Sequence, residues 1–211
     1  LAFLTYYIAI NTLQQDPGAA LPLLIKAAKF ESTLKKSPVT YDKIATAYEA
    51  GPYAKLSDEY KAKFSGKEES PEQKLALENI NQIVDRMIDA YARAVASASD
   101  PKLAAEKKAW SDSLSQWYKY RHKDETGMNE LVAGILSKPL PPEPTPLTSL
   151  PVAPATTPTS GNGSSAAPSG TPAPDTSTAS NAAATTTQKS TAPATTTTAP
   201  AKPAAKRPQH K

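Results

Sequence analysis

The chain has 211 residues, a formal net charge of +4 and no cysteine, which excludes disulfides, thiolate nucleophiles and cysteine-bound zinc. All fourteen aromatic residues precede Ser137, whereas Pro139 to Lys211 holds none and carries fifteen of the 21 prolines, so only the first part can bury a core. Up to Lys138 there are 19 basic and 18 acidic residues, too even a balance for the broad cationic surface that nucleic acid needs.

LAFLTYYIAI, the first stretch, is about ten residues long, and a bilayer span takes about 20. It also lacks the basic flank and small-residue cleavage site of an export signal. It reads as a packed helix near 2–14, with no transmembrane segment in the chain. Because Leu1 opens directly on apolar residues, without a polar outer helix, further repeats are expected upstream. A second helix is expected near 19–35.

Tyr41 to Phe64, YDKIATAYEAGPYAKLSDEYKAKF, reads as two short helices near 39–50 and 53–64 that pivot on Gly51 and Pro52. Gly66 closes the second, since glycine takes the left-handed conformation that ends a last turn. Ser70, Pro71, Glu72 and Gln73 form an N-cap, a first-turn proline and a capping-box glutamine, which open a helix near 71–98. There Leu75, Ile80, Ile83, Val84, Met87, Ile88, Tyr91, Ala94 and Val95 recur at helical spacing. One long helix is the simplest reading, and a break near Asn79 to Gln82 the alternative. Asp100 and Pro101 open another near 102–121, with Leu103, Trp110, Leu114, Trp117 and Tyr118 on one face. A last helix near 127–137 stops at Lys138, before Pro139. No segment reads as a strand, so the fold class is all-α.

Chemistry is sparse. The two histidines are His122, in the charged run RHKDE, and His210, near the terminus. Neither has neighbouring ligands or a nucleophile in sequence. SGKEES lacks the upstream glycine and the hydroxyl after lysine that a phosphate loop requires. Asp58/Glu59 and Glu68/Glu69 flank lysines and read as solvated faces. No catalytic residue, metal site or cofactor is expected, and the chain is read as not an enzyme.

Tyr41, Ile44, Ala45 and Tyr48 followed by Gly51 and Tyr53, then Leu56, Tyr60 and Lys63, resemble a tetratricopeptide repeat. In that unit Leu56 and Lys63 stand where the family favours alanine; Leu4, Tyr7 and Ile8 followed by Ala20, Leu24 and Ala27 resemble a second unit, although Asn11 replaces its tyrosine. The resemblance implies an antiparallel helix-hairpin solenoid over 1–138, with 102–137 as its cap. First helices of such arrays line the groove, so Thr5, Tyr6, Ala9, Asp42, Lys43 and Thr46 are the implied contacts for a protein or peptide segment. The lysine and asparagine set with which some members grip a terminal carboxylate is missing.

Residues 139–211 read as a disordered tail in which Pro, Ala, Thr and Ser make up roughly three quarters of the positions. The composition fits a mucin-type O-glycosylated stalk and a plain disordered linker equally. On the stalk reading the acceptors are Thr185, Thr186, Thr187, Thr195, Thr196, Thr197 and Thr198, with Asn162 in an N-glycosylation sequon. The basic tip AKPAAKRPQHK gives a salt-sensitive attraction for polyanions and little more. The expected role is a scaffold for a protein partner. The alternative is a self-assembling subunit of a glycosylated surface fibre, and an extracytoplasmic or cell-surface location is favoured.

Overall fold

A computed structural model describes residues 1–150. Among these residues the elements are helical and no strand occurs. Asn162 and the threonines from Thr185 to Thr198, expected as glycosylation acceptors, lie outside the described residues.

Local chemistry sets three of the helix starts. The Asp16 carboxylate accepts from the Ala19 N–H at 2.9 Å, and Pro17 opens α2 (Pro17–Lys29) behind α1 (Ala2–Leu13). Ser70 Oγ accepts from the Gln73 N–H at 3.1 Å ahead of α5 (Pro71–Ser97). Asp100 accepts from the Lys102 N–H at 2.9 Å and starts a 3-10 turn, Pro101–Leu103, that leads into α6 (Ala104–His122). Gly66 takes the expected left-handed conformation, φ +73°. The capping box is not reciprocal, however. Gln73 is buried and donates through Nε2 to the Tyr60 hydroxyl at 2.9 Å, tying α5 to the helix before it.

Two expected boundaries differ. The second helix stops at Lys29, not near 35, because Phe30 is extended and Thr33–Lys36 forms a separate 3-10 turn. Buried Leu34 and the Tyr41 hydroxyl, which donates to the Lys35 carbonyl at 2.5 Å, pin that turn. The larger difference is at Gly51 and Pro52, where the tetratricopeptide-like turn does not form. α3 (Pro38–Tyr48) passes through a π turn, Glu49–Tyr53, into α4 (Ala54–Phe64), with right-handed helical dihedrals at Tyr48, Glu49, Tyr53 and Ala54. Pro52 has no N–H to give to a helical ladder, and the wider π turn absorbs that gap. Residues 38–64 therefore make one helical run, which folds back on the 27-residue α5. Tyr91 to Glu49, Gln73 to Tyr60 and the Lys63–Glu72 ion pair mark this antiparallel pairing along its length.

Packing proceeds in sequence order: α1 on α2, α2 on α3, α3 on α5 and α5 on α6, with α7 (Met128–Gly134) and the 3-10 turn Ile135–Ser137 also against α5. This arrangement is compatible with a helical-repeat fold. Leu24, Ile44, Ile80, Met87, Leu114 and Ile135 are fully buried between the layers. Ala20, Ala27, Ala45, Ala90 and Ala94 are buried beside them, small enough to let backbones approach. The tryptophans are core: Trp117 meets Tyr53 edge-on at 4.9 Å, a geometry worth about 0.5–1.5 kcal/mol beyond its buried area. No helix among the described residues is long and apolar enough to cross a membrane.

Candidate peptide-binding groove

Of the residues assigned to a partner surface, Tyr6, Asp42, Lys43 and Thr46 are half-buried at the surface, while Thr5 is buried and Ala9 is fully so. α1 and α3 bring Tyr6 and Asp42 near one another. Burial, and then the Asp42 charge, pushes the Tyr6 phenol above its ordinary range. Lys43 neutralises Asp42 at 3.0 Å, and Thr46 follows Asp42 by one helical turn. Behind them Tyr91 donates to Glu49 Oε2 at 3.2 Å. Its phenol is raised by burial first and by the charges of Glu49 and Asp42 next. His122 lies elsewhere, at the end of α6, with its ring 4.4 Å from that of Tyr118. Among the described residues no group of three or more histidine, aspartate or glutamate side chains is placed to hold a metal ion.

A second site lies along α5. Asn79, Arg86 and Arg93 are seven residues apart, two helical turns, and so share one face. Each binds main chain of residues 139–147, which run antiparallel to α5. Arg93 Nη2 donates to the Pro139 carbonyl at 2.8 Å, and Arg86 Nε to the Pro142 carbonyl at 2.9 Å. Asn79 makes two bonds to Leu147, donating to its carbonyl at 3.1 Å and accepting from its N–H at 2.7 Å. From Asn79 to Arg93 the helix rises about 21 Å. Eight residue steps of polyproline chain cover about 25 Å, so an extended, proline-stiffened segment fits the ruler.

The recognising groups are themselves fixed. Gln82 Nε2 donates to Asn79 Oδ1 at 3.2 Å. Arg93 is 3% exposed, donates to Asp89 at 2.6 Å and lies 5.9 Å from the centre of the Tyr41 ring. Beneath the segment, Leu140 and Pro141 share a pocket with Ile25 of α2, Ile44 and Tyr48 of α3, and Ala90 of α5. Glu143 shares a shallow pocket with Lys26 and Lys29. Burial raises the Tyr48 phenol, and the nearby Glu143 charge raises it further. The groove is thus apolar at its floor, cationic along its rim, and lined by donors aimed at carbonyl oxygens.

No protein-family model, curated protein or solved structure matches this chain. The groove was legible only in fragments. Asn79, Arg86 and Arg93 at seven-residue spacing on a long apolar helix, and two leucines inside the run PLPPEPTPL, were its only sequence signals. Where residues 139–147, hereafter the strap, begin, a cleft of about 860 Å³ is lined by Lys29, Lys36, Lys138, Tyr41, Arg93 and Leu136. Lys29 lies in the last turn of α2, where a cation offsets the helix dipole without any ligand.

Proposed function

We propose that this protein is a non-catalytic interaction scaffold of the helical-repeat kind that tetratricopeptide proteins exemplify, holding extended protein segments. In this reading the Pro/Thr/Ala/Ser-rich residues that follow serve as an O-glycosylated stalk. The observation that carries the proposal is main-chain capture: three side chains of one helix bond the backbone of 139–147 in extended form. Such capture tolerates many sequences, because every residue offers a carbonyl. The surface of Tyr6, Asp42, Lys43 and Thr46 is the second place where a segment would lie. Selection from a random peptide library on the full chain is expected to enrich binders that lose about tenfold in affinity on Asp42→Lys. Enrichment no greater than on an unrelated helical protein would end this reading.

The outer face of α1 favours a second role, as a self-assembling structural subunit. Phe3, Leu4, Tyr7 and Ile8 form a stripe at helical spacing, and Phe3, Leu4 and Tyr7 are 60% or more exposed. Contiguous apolar surface of this kind marks a contact. Light scattering over a concentration series is expected to show mass growing with concentration, and Tyr7→Lys with Ile8→Lys to restore the monomer. A mass that stays monomeric in the unaltered chain removes this role.

A further inference from the structure

We propose that the groove between α2, α3 and α5 is a recognition site for an acidic, proline-rich segment of a partner polypeptide, and that residues 139–147 are its built-in competitor. The inference rests on the scaffold reading above and names the ligand chemistry of one of its sites.

The bound segment defines what the groove accepts. Arg93, Arg86 and Asn79 reach the main chain at residues 139, 142 and 147, and they ask of a ligand only that its backbone be extended. Prolines meet that demand in advance: the polyproline conformation leaves carbonyls free to accept and loses little entropy on docking. Two of the three captured residues are prolines, which lack an N–H, and the arginines ask for none. Asn79 does need an N–H, and the residue opposite it is Leu147. Leu140 lies over the apolar floor, and Glu143 lines the same shallow pocket as Lys26 and Lys29. The ligand pattern is therefore leucine, two prolines and an acid, with a residue that has an N–H four positions later.

Occupation in cis is exchangeable by its construction. The strap contributes no large buried side chain: Leu140, Pro141, Pro144 and Leu147 are half-buried, and Pro142 and Glu143 are exposed. Its firm anchor is upstream, at fully buried Ile135. Residues 139–147 can leave the groove while the helices stay packed, and a segment tethered so close competes by its high effective concentration. The apparent affinity for a partner is the intrinsic affinity multiplied by the fraction of time the groove is open.

The test uses the full chain and a labelled peptide that reproduces residues 138–148. In the altered chain Leu140, Pro141 and Pro144 are all replaced by glycine, which keeps the strap's carbonyls but removes its stiffness and its floor contact. The peptide is expected to bind this chain at least about tenfold more tightly than the unaltered one. Adding Asn79→Ala, or using a peptide with lysine in place of Glu143, is expected to reverse about fivefold of that gain. Should the glycine chain lose helicity, hydrogen exchange on the unaltered chain decides instead. Excess peptide must then speed exchange of the Leu147 N–H while the α5 amides stay protected. Equal affinity for both folded chains, or unchanged Leu147 exchange, overturns the proposal. So does dimerisation of the unaltered chain by mutual exchange of straps, which would make a second copy the occupant. Library binders at Asp42 together with a silent groove would sink this inference and leave the scaffold reading standing.

Discussion

Replacing Arg93 with alanine is expected to lower the unfolding free energy by about 3 kcal/mol, because removing one member of a buried pair strands the other. The magnitude follows from what the guanidinium does in its place. It is 3% exposed, forks onto both carboxylate oxygens of Asp89 at 2.6 and 3.4 Å, and donates to Pro139. The Asp89 side chain is only 18% exposed, so water cannot replace what is lost. The contact with Tyr41 adds about 0.5–2 kcal/mol, depending on how dry it is. In a domain of this size the change corresponds to a melting temperature lower by about 6–12 °C. Arg93→Lys is expected to recover part, since a compact ammonium keeps the charge but lacks the planar, spread donors that reach both Asp89 oxygens and the Pro139 carbonyl together. Arg93→Ala with Asp89→Ala is expected to cost less than the two single changes added together. Urea titration followed by circular dichroism measures all four chains. By contrast the exposed pair Lys108–Asp112 contributes about 0–1 kcal/mol. A cost for Arg93→Ala within that surface range would show that the strap and the Asp89 pair are not dry.

What was legible in the sequence was local. Asp16, Ser70 and Asp100 each act on an N–H two or three residues away, so cap and proline together announce a helix start whatever packs against it. The all-α class and the buried face of α6 followed from periodicity alone. α1 lies where a helix is expected, near 2–14, but its buried face is hidden for a physical reason. Its buried residues, Thr5 and Ala9, are small, whereas Phe3, Leu4, Tyr7 and Ile8 point outward and Tyr6, Ile10 and Leu13 are only partly covered. Close packing of α1 on α2 selects for size, whereas a hydropathy pattern reads polarity. Thr5, which the resemblance places along a partner groove, is one of these small buried residues. The strap escaped for another. A proline-rich run cannot build a core, and composition speaks only to that; main-chain hydrogen bonding leaves no mark on the sequence of the segment that is held. The marks lie on the holder, as polar side chains where α5 should be apolar. α5 runs unbroken through Asn79 to Gln82, which is the simplest reading of its periodicity and not the alternative of a break there.

Gly51 is the other position where a single side chain should act strongly, and the sign of the effect separates two readings of the Gly51-Pro52 pair. In a turn, or on an exposed helix, glycine to alanine is neutral or stabilising by up to about 1 kcal/mol, since alanine lowers the entropy of the unfolded chain and favours helix. Here Gly51 does not have the positive φ that would demand glycine. It serves close approach instead. A Cβ at this position would stand 2.9 Å from the Gly18 nitrogen and 3.1 Å from its Cα, both backbone atoms of the first turn of α2. Backbone cannot rotate aside as a side chain can, so the π turn and α2 must separate. Gly51→Ala is expected to cost about 1–2 kcal/mol net, overpacking outweighing the gain in propensity. Gly51→Leu, whose branched chain has nowhere to go, is expected to cost about 3 kcal/mol or more. Gly18→Ala is the internal control: its Cβ meets only the Asp16 carboxylate, at 3.3 Å, a side chain that can yield. Its cost should stay below about 1 kcal/mol, the loss of one helix cap at most. Denaturant midpoints at constant slope give all three values. A stabilised Gly51→Ala chain would mean that α2 does not lie against the π turn, and with it would go the continuous packing of α2 on α3 that forms one wall of the groove.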